Sequence, residues 1–87
     1  MFENIDLPHY HMATLEQYKQ DFPTLSAVDA ELEWLETFLI RTDYQVVKAA
    51  EYQLVGQTVP DEILVIIAAR RLARERINEL EAGEKND

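Results

Sequence analysis

Four of the chain's eight basic residues, Arg70, Arg71, Arg74 and Arg76, lie in the segment ARRLARER at 69–76, in a protein of formal net charge −9. Arginines clustered on one helix can lie along nucleic acid and release counterions, or they can satisfy acids elsewhere in the protein or its oligomer. The first chemistry is disfavoured here. Glu75, Glu79 and Glu81 interrupt the patch, no aromatic residue is interleaved for base stacking, and the remaining chain is acidic. The second has a ready counterpart in Asp29, Glu33 and Glu36, which recur at i, i+4 and i+7 and form an acidic ridge on one helix face. A contact between ridge and patch would set register and partner choice more than raw stability. Arg70 stands apart because it interrupts an apolar seam, where a buried charge costs energy unless it is paired and therefore specifies alignment.

Little else in the chain suggests a reaction. Asp6, His9 and His11 could approach one metal ion from an extended segment, but no HExxH or comparable ligand set accompanies them, and they read as an incidental polar lead-in. With seventeen acids, any carboxylate pair is uninformative, and no nucleophile-base pair is suggested because both histidines sit in the expected flexible lead-in. The absence of cysteine removes disulfides, thiolate metal sites and a cysteine nucleophile. The two glycines are placed as helix stops rather than as a phosphate loop. No catalytic, cofactor-binding or metal-binding residue is therefore assigned, and a non-enzyme is expected. Trp34, Phe38, Tyr44 and Tyr52 fall at helical spacing and read as core, with the two tyrosines partly exposed.

The elements that position these residues are helical. Eighty-seven residues, 47% apolar and 29% charged, fit one small folded domain with a thin stability margin. The chain divides into a flexible lead-in at 1–13, a helical domain at 14–83 and a frayed tail at 84–87. Thr14-Leu-Glu-Gln17 is a capping-box pattern that opens a short helix closed at Asp21-Phe-Pro23. Hydroxyl caps at Thr24-Leu-Ser26 open a second helix to about Arg41, with Val28, Leu32, Leu35 and Leu39 inward and Trp34 and Phe38 beside them. A second capping box, Thr42-Asp-Tyr-Gln45, predicts a third helix over 43–55, with Val47, Ala50 and Leu54 inward and Gly56 as its left-handed stop. A fourth helix runs from Pro60 to Ala82 and ends at Gly83. Its β-branched run Ile63–Ile67 could be a buried strand on its own, yet it continues without a breaker into the arginine segment. Ile63, Ile66, Arg70, Ala73, Ile77 and Leu80 alternate at spacings of three and four, as in a coiled-coil seam. The fold class is all-α: a small bundle of one short and three longer helices, the last long and coiled-coil-like.

The segments TDYQVVKAAEYQLVGQTVP and RRLARERINELE resemble a class of small helical proteins encoded by tailed bacteriophages and prophages. Thr42, Asp43, Tyr44, Lys48, Glu51, Gly56, Pro60, Arg74, Ile77, Asn78, Leu80 and Glu81 carry the likeness, over about half the chain. It implies a non-enzymatic part or helper in tail or virion assembly, located in the host cytoplasm or the virion, that acts by binding other proteins.

Together these readings predict an acidic helical interaction protein that self-associates or docks on a virion component. The expected contacts are Ile66, Ile77 and Leu80 burying area, with Arg70 and Arg74 choosing the register and Arg71 a further partner-binding residue. Direct nucleic-acid contact and membrane insertion are not expected; the longest apolar run is too short to span a bilayer. The alternative from another class is an inhibitor that mimics nucleic acid with the ridge Asp29, Glu33 and Glu36 and acts on a host defence or DNA-handling protein.

Overall fold

The computed structural model describes residues 5–85, and every regular element in it is helical. A 3-10 turn, Leu7–Tyr10, precedes three α-helices: α1 (Leu15–Asp21), α2 (Ala27–Leu54) and α3 (Asp61–Lys85). Local signals set most of the boundaries. Thr14 Oγ1 accepts from the Gln17 amide at 3.2 Å and Ser26 Oγ from the Asp29 amide at 3.0 Å, each satisfying one of the donors left free at a helix start. Pro23 forbids continuation of α1. Gly56, at φ +74°, turns the chain out of α2 in a region that costs side-chain-bearing residues energy. Asp61 and Glu62 sit in the first turn of α3, where the helix dipole favours them, and the Ile63–Ile67 run is helical.

Three expectations are corrected. The second and third helices are one, because no glycine or proline interrupts Ala27–Leu54 and Thr42 does not act as a cap. Its hydroxyl donates back to the Phe38 carbonyl at 2.7 Å, a bond a threonine can make inside a continuous helix. Gly83 does not stop α3, which runs to Lys85; an isolated glycine costs a helix only about 1 kcal/mol, and no proline follows it. The segment 5–13 is packed rather than extended and free: Leu7 and Met12 are buried, and Trp34 Nε1 donates to the Ala13 carbonyl at 2.9 Å. Residues 1–4 of the expected lead-in and 86–87 of the expected tail lie outside the described residues.

Fusing the two helices moves the buried face. The repeat that buries Ala30, Trp34, Phe38 and Thr42 carries on to Ala49 without a phase reset. Val47, Ala50 and Leu54, expected to point inward, are exposed instead, Leu54 at 85%. Leu35 is fully buried, whereas Val28, Leu32 and Leu39 flank the face as half-buried positions.

The long helices form an antiparallel hairpin with two unequal cores. At the open end of the hairpin, Leu7, Met12, Trp34, Leu35, Phe38, Ala69 and Ala73 form a cluster, with half-buried Leu15, Tyr18, Ile77 and Leu80 packed round it. α1 and the 3-10 turn cover this end. At the turn end, the cluster is only Ala49, Val59 and Ile63, with Tyr52 and Ile67 beside it. The result is an elongated body of 47 × 29 × 18 Å. Its radius of gyration of 14.7 Å exceeds the roughly 12 Å expected of a compact chain of this length.

Candidate interaction surface

The arginines of the patch divide into two that bind the chain itself and two that do not. Arg70, its side chain 12% exposed, donates through Nη1 to the Leu39 carbonyl at 2.5 Å and to Thr42 Oγ1 at 2.7 Å, and through Nη2 to Asp43 at 2.9 Å. Thr42 thereby uses both its donor and an acceptor site while fully buried. The Nε of Arg70 is buried without an acceptor, so the staple carries a desolvation cost. Arg76 forks onto Glu31, with Nε to Oε2 at 2.6 Å and Nη2 to Oε1 at 3.2 Å, and also reaches Glu79 at 3.1 Å. The Arg76 hydrogen bond holds the Glu31 carboxyl below its ordinary value against partial burial, helped by the charges of Arg76 and Lys19, and Glu31 in turn raises the Arg76 guanidinium. Arg71 and Arg74 are exposed and pair with no described acid.

The acids that answer the patch are therefore Asp43, Glu31 and Glu79, and among the described residues none of the ridge does. The reason is angular. At 3.6 residues per turn, Asp29, Glu33 and Glu36 lie on the side of α2 opposite Glu31, Phe38 and Thr42, which face α3. Asp29 and Glu36 are exposed, and Glu33 accepts from the Tyr18 hydroxyl at 3.0 Å. Burial raises the Tyr18 phenol above its usual value, followed by that hydrogen bond and the charge of Glu33.

The seam of α3 is occupied within the chain. Ile66 is buried, and half-buried Ile77 and Leu80 pack on the larger cluster. Asp6, His9 and His11 are exposed on and beside the 3-10 turn; His9 stacks edge-on against Tyr10, and His11 adopts a left-handed conformation as the turn's cap. Among the described residues no group of three His, Cys, Asp or Glu side chains is arranged to hold a metal. No described helix is long and apolar enough to cross a membrane.

A surface the sequence reading passed over lies on α2. Every exposed large apolar side chain among the described residues, Phe22 excepted, falls between Ile40 and Leu72, at the turn end. Ile40, Tyr44, Val47 and Leu54 are all more than half exposed, and with Glu51 they repeat at spacings of four and three. That stripe continues the acidic ridge: residues 29, 33, 36, 40, 44, 47, 51 and 54 form one outer face of α2, acidic in its first half and largely apolar in its second. Lys48 flanks it with its ammonium 5.6 Å from the Tyr44 ring centre. The signal was present in the spacing, but a helix restarted at Thr42 turns Val47 and Leu54 inward and hides it.

α3 carries a second exposed face at the same end. Leu64, Ala68 and Arg71 lie on the side of the helix away from its buried positions, with exposed Arg74 and half-buried Ile67 at its edge. Glu75 lies within this face, at i+4 from Arg71 and i+7 from Ala68, and Glu79, which borders it, is paired with Arg76.

Searches against protein-family models, curated proteins and solved structures found no match to this chain.

Proposed function

We propose that this protein is a non-enzymatic interaction module of the kind tailed bacteriophages encode for tail or virion assembly, and that it acts through the bare outer faces at the turn end of its helical hairpin. The observation that carries the reading is the concentration of exposed large apolar side chains on the outer faces of α2 and α3 at that end. Single exposed apolar residues are ordinary on a protein surface, whereas contiguous rows of them mark contacts with other molecules. The seam first expected to dock, Ile66, Ile77 and Leu80, is largely engaged with the chain's own core, which moves the proposed contact to Ile40, Tyr44, Val47 and Leu54. The experiment is to purify assembling tails or particles carrying the tagged protein, in native form and as Val47→Glu/Leu54→Glu. Loss of copurification in a variant that keeps its native helix content is the expected result. Undiminished copurification would reject the surface.

A second reading is favoured by one observation: the ridge Asp29, Glu33 and Glu36 pairs with no described arginine and remains a row of carboxylates at helical spacing. That is the condition under which an acidic mimic of nucleic acid could work on a host nuclease or other DNA-handling protein. Competition with DNA for such a target, lost on Glu33→Gln/Glu36→Gln, is its test; an absence of competition across targets removes it.

A further inference from the structure

Two unpartnered surfaces of this chain are complementary to each other. Along α2, the outer face runs from acidic at Asp29, Glu33 and Glu36 to apolar at Ile40, Tyr44 and Val47. Along α3, the outer face runs from apolar at Leu64, with half-buried Ile67 at its edge, to mainly basic at Arg71 and Arg74, with Glu75 among them. Laid antiparallel, the two orders match: apolar meets apolar and acid meets base. The spacings match as well. With Glu36 against Arg71, Glu33 falls against Arg74, Ile40 against Ile67, and Tyr44 one residue from Leu64, because both rows advance in steps of three and four residues. None of these charges has a cationic or anionic partner in its own chain among the described residues.

We infer that the occupant of the α2 outer face is the α3 face of a second copy of this protein, so that hairpins associate side by side through a head-to-tail contact. The inference rests on the reading of the turn end as an interaction surface and adds the identity of the partner. The contact repeats the antiparallel α2–α3 pairing already present within the chain. Its axial register is nearly the same too, since Arg70 faces Asp43 and Arg76 faces Glu31 inside the chain. Successive copies therefore advance little along the helix axis, which places them beside one another in a ring or row rather than in a steep spiral. Opposite charges on the two faces fix which face meets which, while the apolar halves supply buried area.

Light scattering coupled to gel filtration tests this on the full chain and on two charge-reversed variants. The native protein is expected at a multiple of 10.1 kDa, falling toward 10.1 kDa as salt is raised. Glu33→Arg/Glu36→Arg and Arg71→Glu/Arg74→Glu should each elute near 10.1 kDa with native helix content. Mixing the two variants should restore the higher mass, because each supplies the face that suits the other. Restoration also shows that both variants are folded. A monomeric native protein overturns the inference and leaves docking on an unlike partner to be tested by copurification. An oligomer indifferent to both reversals overturns it as well, by assigning self-association to another face.

Discussion

The two ends of the hairpin are made of the same two helices and differ in what covers them. At the open end, α1 and the 3-10 turn lie over α2 and α3, and Trp34, Leu35, Phe38 and Ala73 are at most 5% exposed. At the turn end the 3-10 turn reaches only the side of α3 that carries Asp61, Glu62, Val65 and Ile66, and a cluster of Ala49, Val59 and Ile63 holds the helices together while Ile40, Val47 and Leu54 face outward. A two-helix unit has too little interior to hide both apolar sides of each helix, so the end that lacks a full third layer has to expose one. The comparison separates residues that hold the fold from residues available to a partner: the former are concentrated in the covered core, the latter on the outer faces near the turn.

The largest test of that separation is a pair of truncations. Trp34→Ala removes a buried indole and its hydrogen bond to Ala13, and is expected to cost about 3–5 kcal/mol in urea denaturation. Leu54→Ala, on the same helix at the other end, should change stability by no more than about 0.5 kcal/mol. Similar losses at both sites would erase the distinction between the ends.

Arg70 sits where the two ends meet, and its effect should be intermediate. Arg70→Met keeps the length of the side chain but loses the bonds to Leu39, Thr42 and Asp43, at an expected cost of about 1–3 kcal/mol. Asp43→Asn should cost less than about 1 kcal/mol, because that carboxylate is 68% exposed. A larger loss at Asp43 than at Arg70 would show that the ion pair, rather than the bonds to Leu39 and Thr42, is what joins the helices there.

Smaller again is the cap that holds the cover in place. Thr14→Ala should cost about 1 kcal/mol, and the loss should appear as faster amide exchange in α1. Unchanged exchange in α1 would mean that packing of Leu15 and Tyr18, rather than the cap, fixes the cover.

The smallest effect, given by direction, is the pH dependence of the Arg76–Glu31 pair. The folded Glu31 carboxyl is held below its ordinary 4.5, chiefly by the Arg76 hydrogen bond, so the protonated acid favours unfolding. The pair's contribution is present above 4.5 and is lost as pH falls through the lower folded value. Arg76→Gln should therefore be less stable than the native chain at neutral pH, and the difference should shrink in acid. A difference independent of pH would assign the effect to the arginine's packing instead.

The helical class, the caps at Thr14 and Ser26, the turn at Gly56 and the start of α3 were all readable locally, since each depends on a few neighbouring residues. What was not readable depended on residues far apart. Thr42-Asp-Tyr-Gln45 satisfies a capping pattern, and only the arrival of Arg70 from α3 shows that Thr42 lies inside a buried helix. That one misplaced boundary rotated the expected face of 43–55 and concealed Val47 and Leu54, while charge alone had matched the ridge to the arginines and it points away from α3. Clustered arginines answering acids within the chain held for Arg70 and Arg76, but the partners Asp43 and Glu31 follow from the packing of the hairpin rather than from any sequence pattern.

The measurement that bears most directly on the account is amide hydrogen exchange at low and high protein concentration, comparing Thr42–Leu54 with Ala30–Phe38. In dilute protein the turn-end segment of α2 should exchange faster than the covered segment, as expected where few buried contacts secure the helix. Raising the concentration should slow Thr42–Leu54 as the α3 face of a second copy covers it, with the core amides near Trp34 and Phe38 little changed. Equal rates in the two segments, or rates at the turn end that ignore concentration, would contradict the claim that this bare face is where copies of the protein meet.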